Sequence, residues 1–273
     1  MSAWESFIVI LQSGMEEPKI YGLFHIVSLC LICAFTAFIS VRYKNCPDKT
    51  FRTILFVCWT VIIFFEVYKQ IAFAGYHDKD GVPVWGYQWY AFPFQFCSTP
   101  HYVLPLIIFL KDGKVRKACM AFMATFSLFA GLSVCVYPAT VFVEMIGVNI
   151  QTMVHHGSQV ALGVFIAVRM RGELNGKWYL SALPVFFALT AIALLLNGVV
   201  PPIIGSGHTF NMFFISWRFP SSLPILSYLY ADPAAPLIPY PAFLFLYVSG
   251  FSLCAFLTYA LTLLFKKTKY SLG

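Results

Sequence analysis

Residues 178–203 read WYLSALPVFFALTAIALLLNGVVPPI, 26 positions without one charged side chain. About 20 apolar residues in a helix cross the hydrocarbon core of a bilayer. Comparable runs occupy roughly 20–41, 53–75, 91–110, 118–137, 150–170 and 241–265, giving seven in all. Composition agrees, because 60% of the 273 residues are hydrophobic and only 11% charged. A soluble domain carries about a quarter charged residues to wet its surface. The 29 Phe and 15 Tyr suit lipid-facing surfaces and interfacial belts. The expected fold is all-α: a polytopic membrane protein, a seven-transmembrane-helix bundle forming one domain over 1–273. Short polar connectors join most runs, and no linker divides them. Ahead of the first run, Phe7 to Leu11 is apolar beside Glu5, Glu16 and Glu17. It is too short to span and lacks the basic flank of a cleaved signal, so an interfacial helix is expected there.

Lys and Arg set the orientation. Arg42, Lys44, Lys49 and Arg52 follow the first run, and Lys111, Lys114, Arg116 and Lys117 follow the third. Arg169, Arg171 and Lys177 follow the fifth, and Lys266, Lys267 and Lys269 the seventh. Only Lys19, Lys69, Lys79 and Arg218 of the 18 basic residues lie elsewhere. With seven spans, all four basic segments share one side. The positive-inside rule makes that side cytoplasmic, with the N-terminus outside and the C-terminus in the cytoplasm. The net charge of +7 is thus explained by topology, without a nucleic-acid partner. Seven of the eight cysteines fall in spans and Cys46 in a cytoplasmic loop, which argues for free thiols packed among helices.

Polar groups inside spans are the informative exceptions, since each is costly in hydrocarbon and tends to face the bundle interior. Glu66 stands 14 residues after Arg52, Cys97 14 before Lys111, and His155 14 before Arg169. At 1.5 Å per residue each lies about 21 Å from the cytoplasmic edge of a core about 30 Å thick. His25 and Asn197 lie near the same level. Cys97 and His101 share a helix face at i, i+4, as do Gln151, His155 and Gln159, whereas His156 points about 100° away. Glu66 has Lys69 at i+3 and Gln70 at i+4. A polar cavity in the outer half of the bundle is expected. Periodicity cannot say which helices are neighbours.

Three passages carry a family resemblance: Pro93-Phe94-Gln95-Phe96-Cys97, His155-His156-Gly157 and Asn211-Met212-Phe213-Phe214. With seven spans and an outer N-terminus, the chain resembles the bacterial YwaF-like integral membrane family. That family is similar to eukaryotic transmembrane acyltransferases that remodel ether phospholipids through a Cys and a His. The resemblance implies Cys97 as nucleophile and His155 as base, with His156 as a second candidate. It also implies a bacterial cytoplasmic membrane as location, and membrane phospholipid and lysophospholipid as substrates. The stretch from Asn211 through Trp217-Arg218-Phe219-Pro220 to Pro241 departs from the family pattern, and the role of 204–240 stays open.

The chemistry implied is acyl transfer. A thiol in an apolar site holds little thiolate and needs a base. His155 would take the proton while Cys97 attacks an acyl ester, and a lysophospholipid hydroxyl would then accept the acyl group. Water in its place would make the protein a lipase. Gln95, Asn197 or Asn211 would donate to the oxyanion, and Glu66, Gln159 or His101 would orient the imidazole or act as base. His25 lines the same layer. No cofactor and no metal is expected for this mechanism. Two other readings stand beside it. One is a zinc-dependent intramembrane lipid hydrolase using Cys97, His101, His155 and His156 as ligands, although no H-x-x-x-H pair is present. The other is a small transporter or receptor with Glu66 and Lys69 as an ion site.

Overall fold

A computed structural model describes residues 3–77 and 83–265, and over these the chain is mostly helical. Lys79 and the tail residues Lys266, Lys267 and Lys269, used above for orientation, lie outside the described residues. The order is α1 (Ala3–Leu11), α2 (Leu23–Tyr43), α3 (Asp48–Ala74) and a hairpin of β1 (Gly75–His77) with β2 (Pro83–Trp85). Tyr76 pairs with Val84 in that antiparallel hairpin. Then come α4 (Pro100–Phe109), α5 (Lys114–Phe122), a π-helical turn at Met123–Ser127 and α6 (Leu128–Val136). The chain closes with α7 (Ile146–Arg169), α8 (Gly176–Ile204), the single turn α9 (Leu226–Leu229) and α10 (Tyr240–Thr262).

Among the described residues, five helical stretches are long and apolar enough to cross a membrane: Leu23–Tyr43, Asp48–Ala74, Lys114–Val136, Gly176–Ile204 and Tyr240–Phe265. Large apolar side chains stand bare on their outer faces, among them Leu31, Phe64, Leu195 and Phe245. Such surface needs lipid or a partner to cover it.

The two remaining apolar runs depart from a simple span, for different reasons. Residues 91–110 do not form one helix. Three-residue 3-10 turns at Trp89–Ala91 and Phe96–Ser98 precede α4, which begins only at Pro100. Pro93 holds Phe92 in an extended conformation (φ −48°, ψ 134°), as a residue before proline usually is. Pro100 sits at the start of α4, where its missing N–H costs no helical hydrogen bond. Helix α7, by contrast, is continuous over 24 residues but too polar to rank with the five. Its Asn149, Gln151, Thr152, His155, His156 and Gln159 are all buried. The neighbours explain how: α2, α3, α6, the π turn and α10 pack around it, so it meets protein rather than lipid.

Small residues set how closely those neighbours come. A Cβ on Gly131 of α6 would lie 2.7 Å from both the Gln159 Cβ and the His156 carbonyl oxygen of α7. A Cβ on Gly157 would lie 2.5 Å from Cγ1 of Ile32 on α2. Glycine at a helix crossing lets backbones approach in this way.

One end of the bundle is tied by Asp48. Its carboxylate bonds Arg52 at 2.6 Å and Arg116 at 2.7 Å, and Arg169 stands 3.9 Å away. The same arginines reach backbone carbonyls: Arg52 to Ile108 and Leu110, Arg116 to Ile107, and Arg169 to Cys46. Arg169 and Arg116 also lie over the Phe51 ring, at 4.5 and 5.9 Å from its centroid. Charge and backbone together thus join α3, α4, α5 and α7. The Arg116 side chain is 5% exposed, so removing Asp48 leaves a buried cation with only the more distant Asp112, at 3.7 Å, to balance it. Asp48→Asn is expected to weaken the fold by about 2 kcal/mol and lower the melting temperature in detergent by about 5 °C. Lys114→Ala, at an exposed position of α5, is expected to leave it within a degree or so; equal losses in both would remove Asp48 from this role.

Candidate functional site

The segment Pro93–Cys97 assembles one wall, with Phe94, Gln95 and Phe96 all engaging Phe213. Phe94 stacks nearly parallel on Phe213, with ring centroids 5.7 Å apart. The Gln95 amide clamps the same backbone from both sides, donating to the Asn211 carbonyl and accepting from Phe213 N–H, each at 3.0 Å. Phe96 sits among Phe122, Phe186, Phe213 and Phe251, its centroid 4.7 Å from that of Phe251. With its neighbours fixed, the 3-10 turn at Phe96–Ser98 turns the Cys97 carbonyl toward α7. His155 Nε2 donates to that oxygen at 2.9 Å and Gln159 Nε2 at 2.6 Å. The one-turn spacing of His155 and Gln159 lets both reach a single acceptor.

The thiol lies beside these groups. Cys97 Sγ and one ring nitrogen from each of His155 and His156 all lie within 4.8 Å of one another. His155 is 2% exposed and His156 6%. A carbonyl can only accept, so hydrogen bonding fixes each tautomer. Nε2 of His155 carries the proton bonded to Cys97, and Nδ1 of His156 carries the one bonded to the Thr152 carbonyl at 2.7 Å. The other nitrogen of each ring, Nδ1 of His155 and Nε2 of His156, is buried without a protein hydrogen-bond partner. Each imidazole therefore offers one lone pair, as a base or as a metal ligand. His101 adds a third ring, 5.0 Å from that of His155, with neither nitrogen partnered. Among the described residues, Cys97, His155 and His156 are the group of possible metal ligands whose donor atoms converge.

His101 also opens on a cavity of about 440 Å³ lined by Glu66, Gln70, Tyr87, Tyr102 and apolar side chains. Glu66 is paired there with Lys69 at 2.9 Å and accepts from Gln70 at 2.7 Å, while its second oxygen has no partner. Burial, and after it the negative charge of Glu66, pushes the Tyr87 phenol above its ordinary pKa.

The other residues of the polar layer have structural tasks. His25 accepts from the Tyr21 N–H at 2.9 Å and donates to the Cys135 carbonyl at 2.8 Å, so both ring nitrogens are occupied and α2 is pinned to α6. Asn197 bonds both ways with the backbone of Met212, at 2.9 and 2.7 Å. Asn211 donates to Pro220 and accepts from Ser216 N–H. These amides, with that of Gln95, hold the loop in which Phe213 and Phe214 take positive φ of 58°. That loop belongs to the 204–240 stretch, whose Phe210, Met212, Phe213 and Ile215 are buried in the core. The short passages 93–97, 155–157 and 211–214 thus meet in space. Sequence reasoning did not find Thr152, whose contribution is a carbonyl, or Gly131, whose Ala130-Gly131 pair is a small-residue signal for a helix crossing.

Compared with protein-family models, curated proteins and solved structures, the chain finds no match.

Gly131→Ala would push on the His156 carbonyl and the Gln159 side chain, and overpacking of this kind costs about 1–3 kcal/mol. The expected result is a lower melting temperature together with altered thiol reactivity at Cys97. Gly250→Ala, where an added Cβ meets nothing, is the comparison and should change neither.

Proposed function

We propose that the chain is a seven-span membrane protein that moves acyl groups between phospholipids through Cys97. The observation that carries the reading is the convergence of the Cys97 thiol with two imidazoles, each with one nitrogen free to accept a proton. On this reading the five long helices, α4 with its preceding turns, and α7 make the seven spans. The N-terminus is outside, the basic loops and the C-terminus are cytoplasmic, and α1 lies at the outer interface. The thiol then falls in the outer half, near the level of phospholipid ester carbonyls. The resemblance to the YwaF-like family supports the same chemistry and a bacterial cytoplasmic membrane.

The step sequence follows from the groups present. His155 takes the thiol proton as Cys97 sulfur attacks the ester carbonyl. The S–C bond forms, the ester C–O bond breaks, and the departing lysophospholipid alkoxide recovers that proton. A second lysophospholipid hydroxyl gives its proton to the imidazole, attacks the thioester and releases the thiol. Water in its place gives a free fatty acid. The bond from His155 Nε2–H to the Cys97 carbonyl becomes charge-assisted once the ring is protonated, which stabilises the imidazolium. His156 is the second base. His101, on the cavity wall with both ring nitrogens unpartnered, is the donor assigned to the oxyanion, because the amides of Gln95, Asn197 and Asn211 are held by backbone. Glu66, paired with Lys69, lines the cavity onto which His101 opens.

Labelling with a lipid-like electrophile is expected to mark wild-type protein and to be lost in Cys97→Ala, with a changed lysophospholipid profile in expressing cells. Labelling that persists in Cys97→Ala, with lipids unchanged, defeats the reading. Topology has its own check. In a cysteine-substituted background, a thiol at position 19 should react with an impermeant reagent from outside, and one at position 44 should not. The reverse pattern, or reaction at both, overturns the orientation.

A further inference from the structure

We infer that Cys97, His155 and His156 form a binding site for one thiophilic divalent cation, with Zn²⁺ the best fit. Three donor atoms from these residues lie within 4.8 Å of one another in the protein interior. Zinc bound tetrahedrally, at roughly 2.0–2.1 Å from nitrogen and 2.3 Å from sulfur, sets its donors about 3.3–3.6 Å apart. The side chains would have to draw in by about 1 Å, which small rotations of three side chains supply.

The hydrogen bonds around the rings argue for a ligand more strongly than proximity does. A metal-binding histidine typically donates its second ring N–H to a carbonyl or carboxylate, which fixes the tautomer and aims the lone pair. Both rings already have that arrangement: His155 through Nε2 to the Cys97 carbonyl, and His156 through Nδ1 to the Thr152 carbonyl. The nitrogens left over are buried and lack partners. A buried polar atom in that condition calls for a ligand or an explanation. Gln159 supports the same carbonyl as His155 and stiffens the outer shell.

Donor chemistry selects the ion. One thiolate and two imidazoles suit zinc and related soft or borderline metals, whereas magnesium and calcium require oxygen ligands. The Zn–S bond replaces the S–H bond, and the displaced proton leaves to the solution. Three protein ligands leave a fourth coordination position for water or for His101, whose ring lies 5.0 Å from that of His155. One further consequence rests on the acyl-transfer reading. A zinc-bound Cys97 has its sulfur and both neighbouring bases engaged, so metal-bound protein would be inactive and metal-free protein active. The binding itself does not depend on that reading.

The test uses purified full-length protein in detergent, stripped with a chelator and titrated with Co²⁺ and then Zn²⁺. Expected is one equivalent of Co²⁺ with a sulfur-to-cobalt charge-transfer band, displaced by Zn²⁺ and missing in Cys97→Ser. His156→Ala removes a ligand and should weaken Co²⁺ affinity by about 100-fold or more, beyond the roughly 10–100-fold that losing an outer-shell partner costs. Zn²⁺ should raise the melting temperature of wild type and leave that of Cys97→Ser unmoved, a comparison that also reports whether the variant is folded. No charge-transfer band in wild type, or a band retained in Cys97→Ser, overturns the proposal. Electrophile labelling of the stripped protein separates the two readings. Labelling at Cys97 without metal binding leaves acyl transfer standing alone, and metal binding without labelling leaves the cation site alone.

Discussion

The organising constraint is the carbonyl of Cys97, which accepts from both His155 and Gln159. A chain broken by Pro93 and Pro100 exposes backbone groups that a continuous helix would satisfy internally. In a low-dielectric interior such groups must find other partners. Helix α7 supplies two from one face, and doing so brings a thiol and two imidazoles together. The irregular wall and the polar helix each need the other. Neither would be stable against lipid alone.

The same logic runs through the remaining amides. Gln95, Asn197 and Asn211 each bond backbone in both directions. They hold the 211–216 loop inside the core, where two consecutive phenylalanines take left-handed backbone conformations. The aromatic side chains of that loop then lock Phe94 and Phe96, and so the position of Cys97. Fixing Cys97 thus takes a chain of contacts from α8 through the loop to the broken helix.

Much of this was legible in the sequence, and the limits are physical. Five helices follow from uninterrupted apolar length, a property that each segment carries by itself. The break before α4 was marked by its prolines, yet hydropathy averaged over it. Counting residues from the basic flanks set Cys97 and His155 at one depth, and they do come together. Depth holds no information about azimuth or adjacency, so it could not separate them from His25, which pins α2 to α6 instead. For Gln95, Asn197 and Asn211 the residue type was informative and the task was not: an amide serves a backbone loop as readily as an oxyanion. Asp48 was not singled out at all. An acidic residue in a basic loop looks unremarkable until three arginines from separate helices are seen around it.

Helix α7 has a history implied by its composition. In the seven-span reading it carries two histidines and two glutamines through the hydrocarbon, and a segment so polar gains little from leaving the translocation machinery alone. Its insertion is therefore a group event, dependent on α2, α3 and α6, which precede it along the chain and later enclose it. The cluster of Cys97, His155 and His156 comes into being only when the bundle has closed over it, so a truncated or misinserted chain would contain no partial version of it.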